Sequence, residues 1–265
     1  MNRIDASFVR LRRKNAKALI VYLTVGFPSV SLLPDLVKVL VDEGVDLIEL
    51  GVPFSDPLAD GPTIQAASSW ALRKGVTPRL VLKLVSQLRR AGQDVPIALM
   101  TYYNPVFRYG LRNFCRDASA GGVDGLIVPD LPPEEAEDLL HASRPVELDT
   151  IFLAAPTSPP DRLKKIARIS KGFIYYVNLT GVTGARDSFQ YHLAPVKHLK
   201  RITNLPVCAG FGISTPHQVS TVLEASGVDG VIIGSALLDA IGRARGNPIK
   251  AAADFIRPMR RACHG

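Results

Sequence analysis

Gly44-Val45-Asp46-Leu47-Ile48-Glu49-Leu50-Gly51 decides the fold, because the chain repeats its plan twice more. Gly122-Val123-Asp124-Gly125-Leu126-Ile127-Val128-Pro129 and Gly227-Val228-Asp229-Gly230-Val231-Ile232-Ile233-Gly234 read the same way. In each, a glycine ends a helical pattern, an aspartate follows, and a short apolar run reads as a buried strand. Working outward, eight such runs appear: Ala18 to Thr24, Asp46 to Val52, Pro96 to Tyr102, Gly125 to Pro129, Thr150 to Ala155, Gly172 to Asn178, Pro206 to Ala209 and Gly230 to Ile233. They are almost continuously apolar, as parallel strands covered on both faces are.

Amphipathic segments separate the runs: Leu32 to Glu43, Pro78 to Ala91, Pro133 to Ala142, Pro160 to Ile169 and Pro216 to Ala225. Thr77-Pro78 and Thr215-Pro216 read as a capping threonine followed by a first-turn proline. One device recurring at this spacing favours a closed (β/α)8 TIM barrel over an open doubly wound sheet. A short basic amphipathic helix precedes the first strand. With 265 residues, 47% of them hydrophobic, residues 1–265 are expected to form a single (β/α)8 barrel domain, in the size range common for that fold.

Composition narrows the function classes. The net charge is +8, spread over short runs such as Arg10, Arg12, Arg13 and Lys14. No nucleic-acid motif accompanies these runs, and they read as solvated helix faces. Cys115, Cys208 and Cys263 are odd in number and far apart, which argues against a disulfide framework and suggests a reducing compartment. His141, His192, His198, His217 and His264 are scattered, and no ligand spacing suggests a metal site. Neither a signal peptide nor a membrane span is expected, which points to a cytoplasmic location.

The chemistry gathers in the residues that follow the first echo. Leu47, Glu49 and Gly51 share one strand face, and the loop Val52-Pro53-Phe54-Ser55-Asp56-Pro57-Leu58-Ala59-Asp60-Gly61-Pro62 adds two more acids. An unpaired acid on an apolar strand costs folding free energy, and its ionised form is disfavoured. Such a group suits a proton donor. Asp60, on a more solvated loop, suits a carboxylate that stays ionised. Asp56 reads as a turn or subunit-contact residue, and Asp130 as a turn residue.

At the other end of the chain, three glycine-bearing segments follow the last three strands. They are Thr180-Gly181-Val182-Thr183-Gly184-Ala185-Arg186, Ala209-Gly210-Phe211-Gly212-Ile213-Ser214 and Ile233-Gly234-Ser235-Ala236-Leu237. Glycine lets backbone N–H groups approach an anion, and a helix start adds favourable partial charge. In barrels of this kind a phosphate commonly sits here. A phosphorylated small substrate is therefore expected. No GxxxxGK[ST] is present, so nucleotide hydrolysis is not.

These residues together resemble one family. Glu49 to Gln65 closely resembles the signature of the tryptophan synthase alpha subunits. So do Met100-Thr101-Tyr102-Tyr103-Asn104-Pro105-Val106-Phe107-Arg108-Tyr109-Gly110, Val128-Pro129-Asp130-Leu131-Pro132-Pro133-Glu134-Glu135, Gly181-Val182-Thr183-Gly184 and Gly210-Phe211-Gly212-Ile213. The resemblance implies a lyase of tryptophan biosynthesis that cleaves indole-3-glycerol phosphate to indole and glyceraldehyde 3-phosphate.

It further implies that Glu49 protonates indole C3 and that Asp60 supports the ring nitrogen. Tyr22, Ile64, Met100, Ile127, Tyr175 and Phe211 would surround the indole, and Gly184, Gly212, Gly234 and Ser235 would hold the phosphate. Thr183 would act in a lid spanning Leu179 to Gln190. The alpha chain would need no cofactor and no metal. A beta subunit carrying pyridoxal phosphate would receive the indole in an α2β2 assembly, facing the loops Pro53 to Asp60 and Asn104 to Gly110. The chain departs from the family at Asn178-Leu179-Thr180, where many members carry Ser-Arg-Ala, and at Tyr22, where phenylalanine is common.

Three other readings stay open on the residues alone. One is a stand-alone indole-releasing lyase. Another is a silent phosphate-binding regulatory subunit, and the last is a different phosphosugar barrel such as an isomerase or epimerase.

Overall fold

The computed structural model describes residues 2–177, 194–210 and 212–264. Its strands are β1 (Ala18–Thr24), β2 (Leu47–Gly51), β3 (Ile97–Met100), β4 (Gly125–Ile127), β5 (Asp149–Ile151), β6 (Leu153–Ala154), β7 (Ile174–Val177), β8 (Val207–Gly210) and β9 (Gly230–Ile233). The helices are α1 (Arg3–Arg13), α2 (Leu33–Asp42), α3 (Pro62–Arg73), α4 (Pro78–Arg90), α5 (Tyr103–Tyr109), α6 (Leu111–Ala120), α7 (Glu137–Ser143), α8 (Pro160–Ile169), α9 (Ala194–Ile202), α10 (Pro216–Ser226), α11 (Ser235–Gly242) and α12 (Pro248–His264).

The strands form one parallel sheet in the order β5-β4-β3-β2-β1-β9-β8-β7-β6. Its two ends, β5 and β6, are consecutive pieces of chain separated by Phe152. The single strand expected from Thr150 to Ala155 is thus divided. Its first half pairs with β4 and its second with β7, and the Phe152 carbonyl accepts from the Tyr175 N–H at 3.0 Å. Strand tilt in a closed barrel staggers the neighbours, so a short strand meets one of them low and the other high. The ring closes through this segment, as a (β/α)8 barrel.

The echoed aspartates fasten the strands at their N-terminal ends. Asp46 Oδ2 accepts from the Leu19 N–H at 3.0 Å, which ties β2 to β1. Asp124 Oδ2 accepts from the Ile97 N–H at 2.8 Å, tying β4 to β3. Asp229 Oδ2 accepts from the Val207 N–H at 2.8 Å, tying β9 to β8. Each carboxylate also meets a cation: Arg260 for Asp46, Arg3 and Arg89 for Asp124, and Lys200 for Asp229. The repeat read in the sequence is a strand clamp used three times.

Side-chain alternation then separates two apolar regions. Leu19, Val21 and Leu23 point outward, into the layer between sheet and helices. Ala18, Ile20, Leu47, Ala98, Ile127, Ile151, Phe173, Cys208 and Ile232 fill the barrel interior. Ile4, Phe8 and Leu11 of α1 pack into the same interior cluster, with the Phe8 and Phe173 rings 5.9 Å apart. The N-terminal helix therefore plugs the lower mouth and leaves the upper one for chemistry.

Caps behave as the sequence suggests. Thr77 accepts from the Leu80 N–H, and Thr215 with Gln218 forms a capping box on α10. The helix expected from Pro133 starts later, at Glu137, because Pro132 to Glu135 close a turn through the Glu135 N–H and the Pro132 carbonyl. All three cysteines are buried free thiols.

Candidate active site

Glu49 lies in the middle of β2, with Tyr22 of β1 and Ala98 of β3 as its register neighbours. Its side chain points into the barrel above Leu47 and is fully buried. Neither carboxyl oxygen has a hydrogen-bond partner. Desolvation alone pushes its pKa up to about 8. At neutral pH the group is mostly the neutral acid, a proton donor held in an apolar chamber.

Asp60 ends the loop that leaves β2. It is half-buried, and desolvation raises its pKa to about 6, opposed by the nearby Tyr102 hydroxyl. It is mostly ionised at neutral pH. The two carboxyls have been driven to different protonation states by different surroundings, which divides acid from electrostatic duty.

Tyrosines surround the pair. Burial, followed by the nearby Asp60 carboxylate, raises the Tyr22 hydroxyl pKa. Glu49 adds a smaller push, and Tyr22 accepts a hydrogen bond from Thr24 at 3.3 Å. The Tyr175 hydroxyl is raised by burial first, then by Glu49 and Asp60. Two glycines make room for these rings. A Cβ at Gly51 would fall 2.0 Å from the Tyr22 hydroxyl, and one at Gly210 would fall 2.8 Å from that of Tyr175. Met100 and Ile127 occupy neighbouring register positions on β3 and β4 and join the interior cluster. Ile64 sits in the first turn of α3, half-buried against the buried cluster that includes Tyr22.

The glycine-bearing end lies across the mouth. Gly234 precedes α11 and has no side-chain cap, so the N–H groups of that first turn stay available with the Ser235 hydroxyl. A Cβ at Gly234 would lie 3.4 Å from the Tyr22 Cβ, so Tyr22 spans from the acids to this end. Gly212 has a positive φ of 69°, and among the described residues no atom lies within 4 Å of where a Cβ there would sit. Thr183, Gly184 and Phe211, with the expected lid from Leu179 to Gln190, lie outside the described residues.

Two residues do more than the sequence reading gave them. Tyr102 was quoted only as part of a strand and a motif. Its hydroxyl accepts from the Ala59 N–H at 3.0 Å, and its nearness to Asp60 works against the burial that raises that carboxyl's pKa. The alternation Ala98, Met100, Tyr102 carried that signal, since it aims the phenol into the mouth. Asp130, read as a turn residue, accepts from the Tyr103 N–H at 2.9 and 3.2 Å and so caps α5 from the next loop. Asp56 is exposed and accepts from Ser55, within a turn closed by the Leu58 N–H and the Asp56 carbonyl.

Comparison with known proteins agrees with this arrangement. The profile of the family described as tryptophan synthase alpha chain matches residues 8–262. The alpha chain of Geobacter sulfurreducens is 44% identical over 264 residues, 99% of each chain. That of Geotalea uraniireducens is 47% identical over 251 residues, covering 94% of this chain and 93% of its own. The crystal structure of the alpha subunit from Legionella pneumophila superposes with a TM-score of 0.92 at 37% identity, covering 100% of this chain and 99% of that one. A Mycobacterium tuberculosis tryptophan synthase structure gives a TM-score of 0.89 at 39% identity, covering 99% and 98%. The chain belongs to the tryptophan synthase alpha chain family.

Proposed function

We propose that Glu49 and Asp60 drive the family's reaction, the cleavage of indole-3-glycerol phosphate to indole and glyceraldehyde 3-phosphate. The observation that carries the reading is the Glu49 carboxyl, fully buried in the middle of a barrel strand and without a hydrogen-bond partner among the described residues. A group so placed has a use only when a substrate arrives.

The neutral Glu49 gives its proton to indole C3. Positive charge then develops at the ring nitrogen, and Asp60 accepts the N–H hydrogen bond and stabilises that charge. The side-chain hydroxyl loses its proton, its oxygen forms the aldehyde carbonyl, and the bond to C3 breaks. That bonding pair returns to the ring and restores indole. One proton is given and one is taken, so a Glu49 carboxylate that collects the second is restored. Tyr22, Met100, Ile127, Tyr175, Ile64 and Phe211 shape the indole pocket. The Ser235 end of α11 and Gly212, with Gly184, bind the phosphate, and we assign Thr183 to substrate binding beside them.

The chain works with no cofactor or metal of its own. It pairs with a beta chain, as its family does. We assign that partner the pyridoxal phosphate and an α2β2 stoichiometry, with Leu58 and Phe107, 92% and 61% exposed, on the contact face. Among the described residues no helix is long and apolar enough to cross a membrane, and the setting we assign is the cytoplasm.

The test is indole release by Glu49→Gln, which keeps the shape and removes the transferable proton. A loss of about 100-fold or more in kcat is expected, the usual contribution of a positioned acid. A variant that turns over like the parent would sink the assignment.

A further inference from the structure

The lower mouth holds a buried acid that the proposed reaction does not use. Asp149 opens β5, two residues before Ile151 on the same strand face, and so faces the barrel interior. It is 5% exposed, and its Oδ2 has no hydrogen-bond partner among the described residues. Beside it runs the seam of the ring, where β5 pairs with β4 while β7 pairs with β6 instead. The first turn of α1 covers this place. Ile4 is fully buried in a notch between two glycines: a Cβ at Gly125 would fall 3.0 Å from its Cδ1, and one at Gly172 would fall 3.2 Å from its Cγ2. The same Cβ at Gly172 would fall 3.0 Å from Asp149 Oδ2, so the acid and Ile4 share one wall.

Charged groups reach Asp149 from each neighbouring element. Arg3 and Asp5 belong to α1, Asp124 precedes β4, Glu147 precedes β5 and Lys171 precedes β7, and with Asp149 they line one cavity of about 770 Å³. Arg3 is committed to Asp124 at 3.0 Å, and Lys171 is exposed. Burial first, and then Asp5, raise the Asp149 pKa to about 7; Lys171 opposes them and Asp124 adds to them. Gly172 is pinned on both sides, by the Lys171 N–H on the Thr150 carbonyl and the Ile174 N–H on the Pro206 carbonyl. The start of α1 is tied down by side chains, through Arg3 and through Asn2 Nδ2, which donates to the Asp124 carbonyl at 2.6 Å.

We propose that Asp149 is a proton-operated latch on the lower mouth: as the neutral acid it lets the first turn of α1 seat over the seam, and as the carboxylate it draws water in and lifts that turn. A buried charge without a partner has to be solvated, and the side-chain-tethered helix turn gives way more easily than the pinned strand. The latch is independent of the reaction assigned above. The seated pKa lies above the ordinary 3.8, so seating is strongest below about 3.8 and is lost as pH rises through about 7.

Hydrogen exchange of the full chain, read as protection factors for α1 and α10, tests this at about pH 5 and about pH 7.5. In the parent, α1 protection is expected to fall roughly tenfold or more between the two, since each unit of pKa difference is a factor of ten. Asp149→Asn cannot ionise and should hold its α1 protection within about twofold, with α10 steady in both proteins. Asp149→Ala leaves no buried amide to satisfy and repeats the comparison if the Asn variant does not fold. Lys171→Met removes the charge that favours the carboxylate, so the fall in α1 protection moves to higher pH. Parent and Asp149→Asn profiles that superimpose overturn the proposal, as they would if Lys171 simply paired with the ionised acid. An equal fall in α1 and α10 also overturns it, because the whole fold and not the plug would then be responding.

Discussion

Glu49 and Asp60 show how far one side chain's surroundings decide its chemistry. Both are ordinary acids in water, yet burial brings them to about 8 and about 6. The proposed mechanism needs Asp60 ionised and Glu49 protonated. Activity is therefore expected to rise as pH climbs through about 6 and to fall as it passes about 8. A profile of kcat/KM against pH for the free chain checks this, and Glu49→Asp or Tyr102→Phe should move one limb each. The same shift has a consequence for stability. A carboxyl whose folded pKa lies above its unfolded value stabilises the fold below the unfolded pKa, near 4.5, and loses that contribution as pH rises through about 8. Glu49→Gln cannot ionise. Its stability relative to the parent is expected to improve by up to roughly 1.4 kcal/mol per pH unit across that window. Urea unfolding at about pH 5 and about pH 8 measures the difference, and a constant gap would contradict it. An acid useful to catalysis here is a burden to the fold.

Among the elements, the strand clamps contribute most clearly to stability. Asp124 is buried, and Arg89 reaches it at 2.7 Å while also donating to the Gly122, Gln93 and Val95 carbonyls. Arg89→Ala would take away the more buried of Asp124's two cations, leaving the half-exposed Arg3 and the Ile97 N–H, at a cost of about 3 kcal/mol. The exposed Lys38–Asp42 pair on α2 has the same type of contact at 2.7 Å, but Lys38→Ala should change stability by under about 1 kcal/mol. Paired denaturant titrations compare the two. These clamps also explain what the sequence made legible. Asp46, Asp124 and Asp229 repeat because each fastens a neighbouring strand, so spacing alone carried the topology. Glu49 was legible because an acid breaks an apolar run. Tyr102 was less so, since a phenol at a strand end looks like core until its hydroxyl is seen to meet a loop from another strand. The break at Phe152 was not legible at all, because it follows from strand stagger around the closed ring, which no local pattern encodes.

At the scale of the molecule, the two sides of the site come from different parts of the ring. The acids belong to β2 and the loop after it, and the backbone to which we assign the phosphate belongs to β8, β9 and α11. Glyceraldehyde 3-phosphate, which needs only the second part, is expected to raise Tm modestly. At about 100 times its Kd the gain is roughly 2.7 kcal/mol, a shift of several degrees by thermal scanning. The seam at Phe152 gives this division a further meaning. A sheet whose first and last strands are one continuous stretch of backbone presents no unpaired border to another molecule, and so offers no template for edge-to-edge aggregation. Cleaving the chain there would open the ring and leave raw edges at β5 and β6, while the two fragments, β1 to β5 and β6 to β9, stay joined through the β1–β9 pairing. A substrate bound as proposed would touch both fragments, with Tyr22 and Glu49 on the first and Tyr175 and Gly234 on the second, and so would help hold the opened ring together.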